Sequence, residues 1–309
     1  MIKKDQLPNI WGDDWKVPEN SAPQLLHIPE NHETKVVITD DPWIKELMDG
    51  KAVCCKPAER LDIVIGDNAS LEIYRLQGLD TPSEFICNTN ITMQQDARLR
   101  MCTITLGGRH VRNNIAVRMQ GEHCNLTANG LYLIDREQQC DNYIFVEHAK
   151  PNCHSKELYK GIIDDSARAR FNGHVLVQDG AVKTEAYQTN RNILLTDKAH
   201  VDTRPFLEIY NDDVKCSHGS TIGQLDEQAL FYLQTRGIST RTAMTMLSYA
   251  FCDEVIREIG IPELRDVVGD MVKKRLHGEL TPSCDECAIR CSTPCNGENA
   301  AFKIDPNKL

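Results

Sequence analysis

The sequence predicts a mostly β fold followed by a C-terminal α-helical domain. Between about residues 60 and 223, short apolar runs such as LDIVIGD and RLRMCTITL alternate with a period of two, which is typical of β-strands. Turn-forming residues separate these runs at nearly even intervals. After Gly223 the apolar period changes to that of a helix. Strands and helices are therefore expected to form consecutive parts of the chain.

Residues 1–50 are expected to form an N-terminal arm or a small cap. They contain all three tryptophans and five of the thirteen prolines, and they show little periodicity. Proline-rich sequence without an apolar period does not predict a long helix or a central strand.

Residues 51–222 are expected to form the β core. Turn aspartates follow each other 14, 18 and 16 residues apart, at Asp165, Asp179, Asp197 and Asp213. Such spacing is typical of a parallel β-helix, in which stacked coils share one core. An antiparallel sandwich is also made of short strands, and Asn129-Gly130 and Asn172-Gly173 are typical hairpin turns. The pattern alone leaves both folds open.

Residues 223–277 are expected to form three amphipathic helices. The first places Leu225, Ala229, Leu230 and Leu233 on one stripe. Gly237 is a typical residue after a helix end, Ser239 is a typical N-cap, and Pro262 suits the first turn of the third helix. We expect this helical domain to cap the open end of the strands, where backbone groups would otherwise be unpaired.

Cys216 and His218 are the first candidate site. Residues two apart on a strand point to the same face, so the thiol and the imidazole are expected to lie side by side. A soft sulfur beside an imidazole nitrogen suits a transition metal. The alternative is that both are packing residues at the end of a strand, since free cysteine is usually buried.

The tail, residues 278–309, holds a second candidate site. Four cysteines are spaced three, four and four residues apart, at Cys284, Cys287, Cys291 and Cys295. Four thiolates at this spacing can bind zinc or iron, or hold a cluster. The alternative is a tail without a physiological metal. Most of the other cysteines lie singly in apolar runs, and the chain's total of 13 is odd, so a disulfide framework is not expected. Five of them are expected to be core thiols: Cys87, Cys102, Cys124, Cys140 and Cys252.

Composition and motifs narrow the function. The net charge of −10, spread along the chain, argues against a nucleic-acid surface. No apolar segment has the length of a membrane span or the position of a signal peptide, so a soluble, cytoplasmic protein is expected. The GxxxxGK[ST], GxSxG, HExxH and GxGxxG motifs do not occur, which disfavours the enzymes that use them. Adjacent aspartates could serve a β-helix carbohydrate enzyme, but such pairs are usually solvated turn residues.

Two long segments carry a family resemblance. Leu207–Gly237, LEIYNDDVKCSHGSTIGQLDEQALFYLQTRG, and His148–Pro205, which begins HAKPNCHSKELYKG, resemble the SufB/SufD family of the SUF iron–sulfur cluster assembly machinery, and its SufD branch in particular. The resemblance covers roughly residues 52–275. It favours the right-handed parallel β-helix over the sandwich. The tail and the short N-terminal region depart from the family pattern.

The resemblance implies a function. The chain is expected to be a non-catalytic scaffold that pairs with a SufB-like subunit, or with itself as a homodimer, and docks a SufC-like ATPase on its C-terminal helices. His218 matches the family histidine implicated in handling iron or a nascent iron–sulfur cluster at the subunit interface, and Cys216 stands beside it. The alternatives are a stand-alone metal-binding or redox protein that uses the tail cysteines, and the carbohydrate enzyme.

Overall fold

The computed structural model describes residues 24–39, 44, 47–48, 52–54, 58–77 and 84–277. Fifteen strands lie within them: β1 (Gln24–Ile28), β2 (Glu33–Thr39), β3 (Ala52–Cys54), β4 (Ala58–Ile65), β5 (Ser70–Gln77), β6 (Glu84–Met93), β7 (Arg98–Thr105), β8 (His110–Met119), β9 (Asn125–Ile134), β10 (Gln139–His148), β11 (His154–Ile163), β12 (Arg168–Val177), β13 (Thr184–Leu194), β14 (His200–Ile209) and β15 (Val214–Gly223). Three helices follow: α1 (Glu227–Thr235), α2 (Thr240–Ile256) and α3 (Pro262–His277).

The strands form two parallel sheets. From β4 onward successive strands alternate between them: one sheet has the order β1-β4-β6-β8-β10-β12-β14 and the other β15-β13-β11-β9-β7-β5-β2-β3. Each coil therefore contributes one strand to each sheet and advances the chain by about 30 residues. The predicted β-helix is confirmed as a parallel β-solenoid, and the sandwich alternative is wrong because every described strand pair is parallel. The right-handed sense stays a prediction.

The predicted turn spacing is half a coil rather than a whole one. The aspartates fall alternately at the two corners of the solenoid, so each interval spans a single strand and its turn. At one corner a residue with positive φ recurs on successive coils, namely Asn68, Asp96, His123, Asn152 and Lys183. Asparagine and aspartate tolerate this backbone region better than most residues. The next residue points inward and is small at four of these turns: Ala69, Ala97, Cys124 and Cys153.

The interior between the sheets is filled by inward-facing side chains at alternate strand positions. Ile91, Val117 and Val146 line one sheet and Leu71, Leu99 and Ile163 line the other. Stacking of identical positions in register gives one continuous core along the solenoid.

The helices pack on the outer face of the eight-stranded sheet. Cys252, Val255 and Val268 meet Leu131 and Leu133, which point outward from β9. The expectation that the helices cap the open end is wrong, because their apolar residues find outward-facing partners in the middle of the sheet and leave β15 exposed. The separate helical domain stays a prediction.

Two buried cations attach the helices. The Lys160 ammonium donates to the carbonyl oxygen of Phe251 at 2.8 Å, pairs with Glu254 and lies 4.4 Å from the centre of the Phe251 ring. The Arg275 guanidinium contacts the Asp135 carboxylate at 2.6 Å. A solenoid residue and a helix residue are joined in both cases, so α2 and α3 have fixed positions on the solenoid.

The predicted helix signals are confirmed where they are local. The Ser239 hydroxyl accepts the N–H of Thr242 at the start of α2, and α3 begins at Pro262. Gly237 has φ +83° and follows α1. The N–H groups of Gly237 and Ile238 bond back to the last turn of α1, so the two residues form a Schellman motif.

Candidate functional site

Cys216 and His218 lie on β15, the last strand of the eight-stranded sheet. β15 pairs with β13 and, among the described residues, with no strand on its other side. The two residues point into the solenoid, as the period of two predicts. Cys216 is half-buried against the core, and burial raises the pKa of its thiol. His218 is exposed. The structure therefore brings the pair together at an open edge.

A polar column lies under His218. Its register partner on β13 is Gln188, and the register partner of Gln188 on β11 is Glu157. Gln188 Nε2 donates to Glu157 Oε2 at 2.9 Å. Both side chains are fully buried, and neither Gln188 Oε1 nor Glu157 Oε1 has a hydrogen-bond partner among the described residues.

This burial perturbs the carboxyl group. Desolvation raises the pKa of Glu157 to about 7, although the hydrogen bond from Gln188 opposes the shift. Gln188 and Glu157 were not predicted as site residues from the sequence. Both occupy inward positions of a strand, but only the register of three successive coils shows that they are in line with His218.

The core is open at the same edge. Ile209 on β14 and Ile222 on β15 occupy inward positions, yet they are 39% and 47% exposed because no coil formed by the described residues lies over them. Between them the hydroxyls of Thr203 and Ser220 join the two sheets at 2.9 Å. An edge that combines unpaired backbone groups with uncovered apolar side chains is suited to another chain.

Two metal sites were predicted from the sequence, and the structure describes only one of them. Within the part of the chain that the structure describes, no three His, Cys, Asp or Glu side chains converge as a metal site would require. The predicted tail site, Cys284, Cys287, Cys291 and Cys295, lies outside the described residues. Cys216 and His218 together give at most two ligands from this chain.

Five cysteines predicted as core thiols are buried: Cys87, Cys102, Cys124, Cys140 and Cys252. Cys153 is also buried, directly beside Cys124, and the sequence analysis missed this contact. The signal was present. The segments CNLTANGLYLID and CHSKELYKGIID begin with these two cysteines and end alike, as consecutive repeats of one coil.

Two other surfaces are notable. A groove of about 680 Å³ lies along one corner of the solenoid and is lined by Glu84, Arg109, His110, Arg136, Glu137, Gln138, Gln139, Ser166 and Arg168. The described lining contains no Phe, Tyr or Trp, the side chains on which a sugar-binding groove would be expected to stack its ligand. Helix α1 has no buried residue and exposes Phe231 and Tyr232 by 67% and 56%. None of the described helices is long and apolar enough to cross a bilayer.

Comparisons with a family model and with individual known proteins point to the same family. Residues 25–251 match the family described as "SUF system FeS cluster assembly, SufBD core domain". The iron-sulfur cluster assembly protein SufD of Escherichia coli is 36% identical over 219 residues, which are 71% of this chain and 52% of that protein. A SufBD family protein of Synechocystis sp. is 34% identical over 66% of this chain and 45% of its own length. One from Mycobacterium leprae is 37% identical over 68% and 55%. The chain thus matches about half the length of these relatives.

Proposed function

The chain belongs to the SufBD family of SUF-system iron–sulfur cluster assembly proteins, and from this premise we propose that it is a non-catalytic scaffold subunit. It pairs with a SufB-like subunit, or with a second copy of itself, through β14 and β15. At that joint it contributes His218, with Cys216 beside it, to the binding of iron or a nascent cluster. The metal is the cargo of the assembly and not a resident cofactor.

The exposed last coil is the observation that carries this proposal. The inward-facing Ile209 and Ile222 are uncovered at the side of the solenoid where β15 has a free edge. A second chain would bury these two side chains and pair with the backbone of β15. Cys216 and His218 lie on the same inward side, so a chain docked there would meet their side chains. One thiol and one imidazole leave coordination positions for sulfide and for thiolate from the second chain.

The ligand role is tested by replacing His218. We expect His218→Ala to abolish cluster assembly, measured by complementation in cells that lack the endogenous subunit and by reconstitution with the partner proteins. Ser217→Ala is the matched control, because Ser217 is the exposed neighbour that points away from the interior. A His218→Ala protein that assembles clusters like the control would refute the proposed site.

The joint is tested separately. Ile222→Asp places a charge on the uncovered core and is expected to weaken association with the SufB-like subunit, or self-association, in size-exclusion chromatography. Tyr210→Ser is the matched control, since this exposed residue lies just beyond the end of β14. Unchanged association of the Ile222→Asp protein would place the joint elsewhere.

The helices are the proposed docking surface for a SufC-like ATPase. Their solvent face includes the exposed Phe231 and Tyr232, and aromatic residues often anchor protein interfaces. ATP hydrolysis by that partner would supply the energy, since this chain has no phosphate-binding GxxxxGK[ST] motif. Phe231→Ala with Tyr232→Ala is expected to reduce co-purification of the ATPase, and unaltered recovery would contradict the docking. The proposal also includes a cytoplasmic location and the division of the chain into an N-terminal arm (1–50), a β core (51–222), a helical domain (223–277) and a tail (278–309).

A further inference from the structure

Cys124 and Cys153 are stacked at one corner of the solenoid. Each immediately precedes its strand, and the following residues, Asn125 and His154, are register partners. The N–H of His154 donates to the carbonyl oxygen of Cys124 at 2.9 Å. Neighbouring strands lie about 4.8 Å apart, which is within the Cα separation that a disulfide spans.

The two thiols share one buried environment. Both side chains are fully buried and each donates to the carbonyl oxygen of Gly121 at 3.3 Å. The interaction between the two thiols lowers the pKa of Cys153 and raises that of Cys124. Burial opposes the lowering at Cys153, so the thiolate depends on its neighbours.

His148 is the third member of this cluster. Its ring is fully buried beside Cys153 and helps to lower the pKa of that thiol. Nε2 lies 2.9 Å from the Ser155 hydroxyl, and Nδ1 has no hydrogen-bond partner among the described residues. An imidazole nitrogen without a hydrogen-bond partner can accept the proton of a thiol.

No other described cysteine has a cysteine as its register partner. Cys102 is aligned with Tyr74 and Asn129, and Cys140 with Val111 and Ala169. The turn over the Cys124–Cys153 pair exposes Glu122 and His123 to solvent. Because both thiols are buried, a small oxidant can reach them only when this covering structure opens.

We propose that Cys124 and Cys153 are a redox-active thiol pair that forms a disulfide between neighbouring coils when the protein reacts with hydrogen peroxide. Cys153 passes its proton to His148, and its sulfur attacks one peroxide oxygen. The O–O bond breaks, which leaves a sulfenic acid on Cys153 and a hydroxide that takes the proton back as water. The Cys124 sulfur then attacks the Cys153 sulfur, the S–O bond breaks, and the hydroxyl leaves with the Cys124 proton as a second water. The peroxide gains the two electrons that the thiols lose.

Peptide mapping of the full chain tests this proposal. The reduced protein is treated with hydrogen peroxide, denatured, alkylated and digested with trypsin. A disulfide between peptides 119–136 and 137–156 is expected in nearly every molecule. Peptide 137–156 also contains Cys140, so Cys140→Ser, which removes a buried cysteine without a cysteine neighbour, serves as the control. It should retain the cross-link, whereas Cys153→Ser should lose it.

The Cys124→Ser variant distinguishes the two steps. It lacks the second thiol, so Cys153 should accumulate as a sulfenic acid that dimedone labels. The proposal is overturned if both cysteines of the wild-type protein are alkylated after the peroxide treatment, if Cys153 proceeds to the sulfinic acid without a cross-link, or if the link disappears in Cys140→Ser. If Cys124→Ser or Cys153→Ser does not fold by circular dichroism, the comparison of wild type with Cys140→Ser still decides.

Discussion

The ion pair between Arg275 and Asp135 should be a major contact that holds α3 on the solenoid. The two side chains are 4% and 0% exposed, and Arg275 also donates to Gln138 Oε1 at 3.3 Å. Arg275→Met would keep most of the apolar stem and remove the buried cation of Asp135. The carboxylate would then keep only the partly exposed Arg136 guanidinium, whose Nε lies 3.6 Å from Oδ1. Breaking a buried pair in this way costs about 3–5 kcal/mol.

The matched control is an ion pair on the helix surface. Arg257, the C-cap residue of α2, pairs with Asp253 but is 78% exposed, and such pairs contribute at most about 1 kcal/mol. Urea unfolding of the full chain, followed by far-UV circular dichroism, should therefore show a much larger loss of stability for Arg275→Met than for Arg257→Met.

A double variant tests the cause of the loss. Asp135→Asn combined with Arg275→Met removes both charges, so its cost should be smaller than the sum of the two single costs. Equal stability losses for Arg275→Met and Arg257→Met, or strict additivity in the double variant, would refute the argument that an uncompensated buried charge is responsible.

Three further predictions concern the interior. The pKa of Glu157 is about 7 in the folded protein against an ordinary 4.5, so the wild type should lose stability as pH rises through this interval. Glu157→Gln removes the titrating group and therefore this loss. In urea unfolding, the stability of Glu157→Gln relative to wild type should rise by about 2–3 kcal/mol between about pH 5 and pH 8. A constant difference would contradict this. Phe171→Ala empties a fully buried position 5.2 Å from the Tyr159 ring and should cost about 3–5 kcal/mol in the same assay; a cost below about 1 kcal/mol would mean that the site collapses. Gly130→Ala would place its Cβ 2.1 Å from the Tyr159 ring and should lower the melting temperature, whereas Gly219→Ala, with open space around it, should not; equal melting temperatures would show that Tyr159 moves aside.

Local signals in the sequence predicted local structure correctly. The Ser239 cap, the Gly237 helix end and the Pro262 helix start depend on neighbouring residues alone, and the structure confirms all three. The period of two identified the strands for the same reason. The pairing of those strands was not predictable from the pattern, because a parallel coil and an antiparallel sandwich present the same alternation. The family resemblance decided between them.

Contacts between coils were the part that sequence reasoning missed. The contact between Cys124 and Cys153 exists only because each coil advances the chain by about 30 residues, and the alignment of Gln188 with His218 has the same cause. The turn aspartates suggested a repeat of half that length, which would align different residues. The position of the helices was also missed, since an amphipathic stripe shows that a helix has a buried side but does not specify which surface it covers.

The free edge of β15 also constrains the symmetry of any homodimer built on it. Within the chain, β15 runs parallel to its neighbour β13. Two copies of β15 related by a twofold axis can meet only in opposite directions, and each residue then faces a counterpart at the mirrored distance from that axis. The place where the axis crosses the strand therefore decides how far apart the two copies of His218 lie. If the axis crosses β15 one residue further along, one strand moves past the other by two residues. Small changes in the docking register would therefore bring the two imidazoles together or separate them.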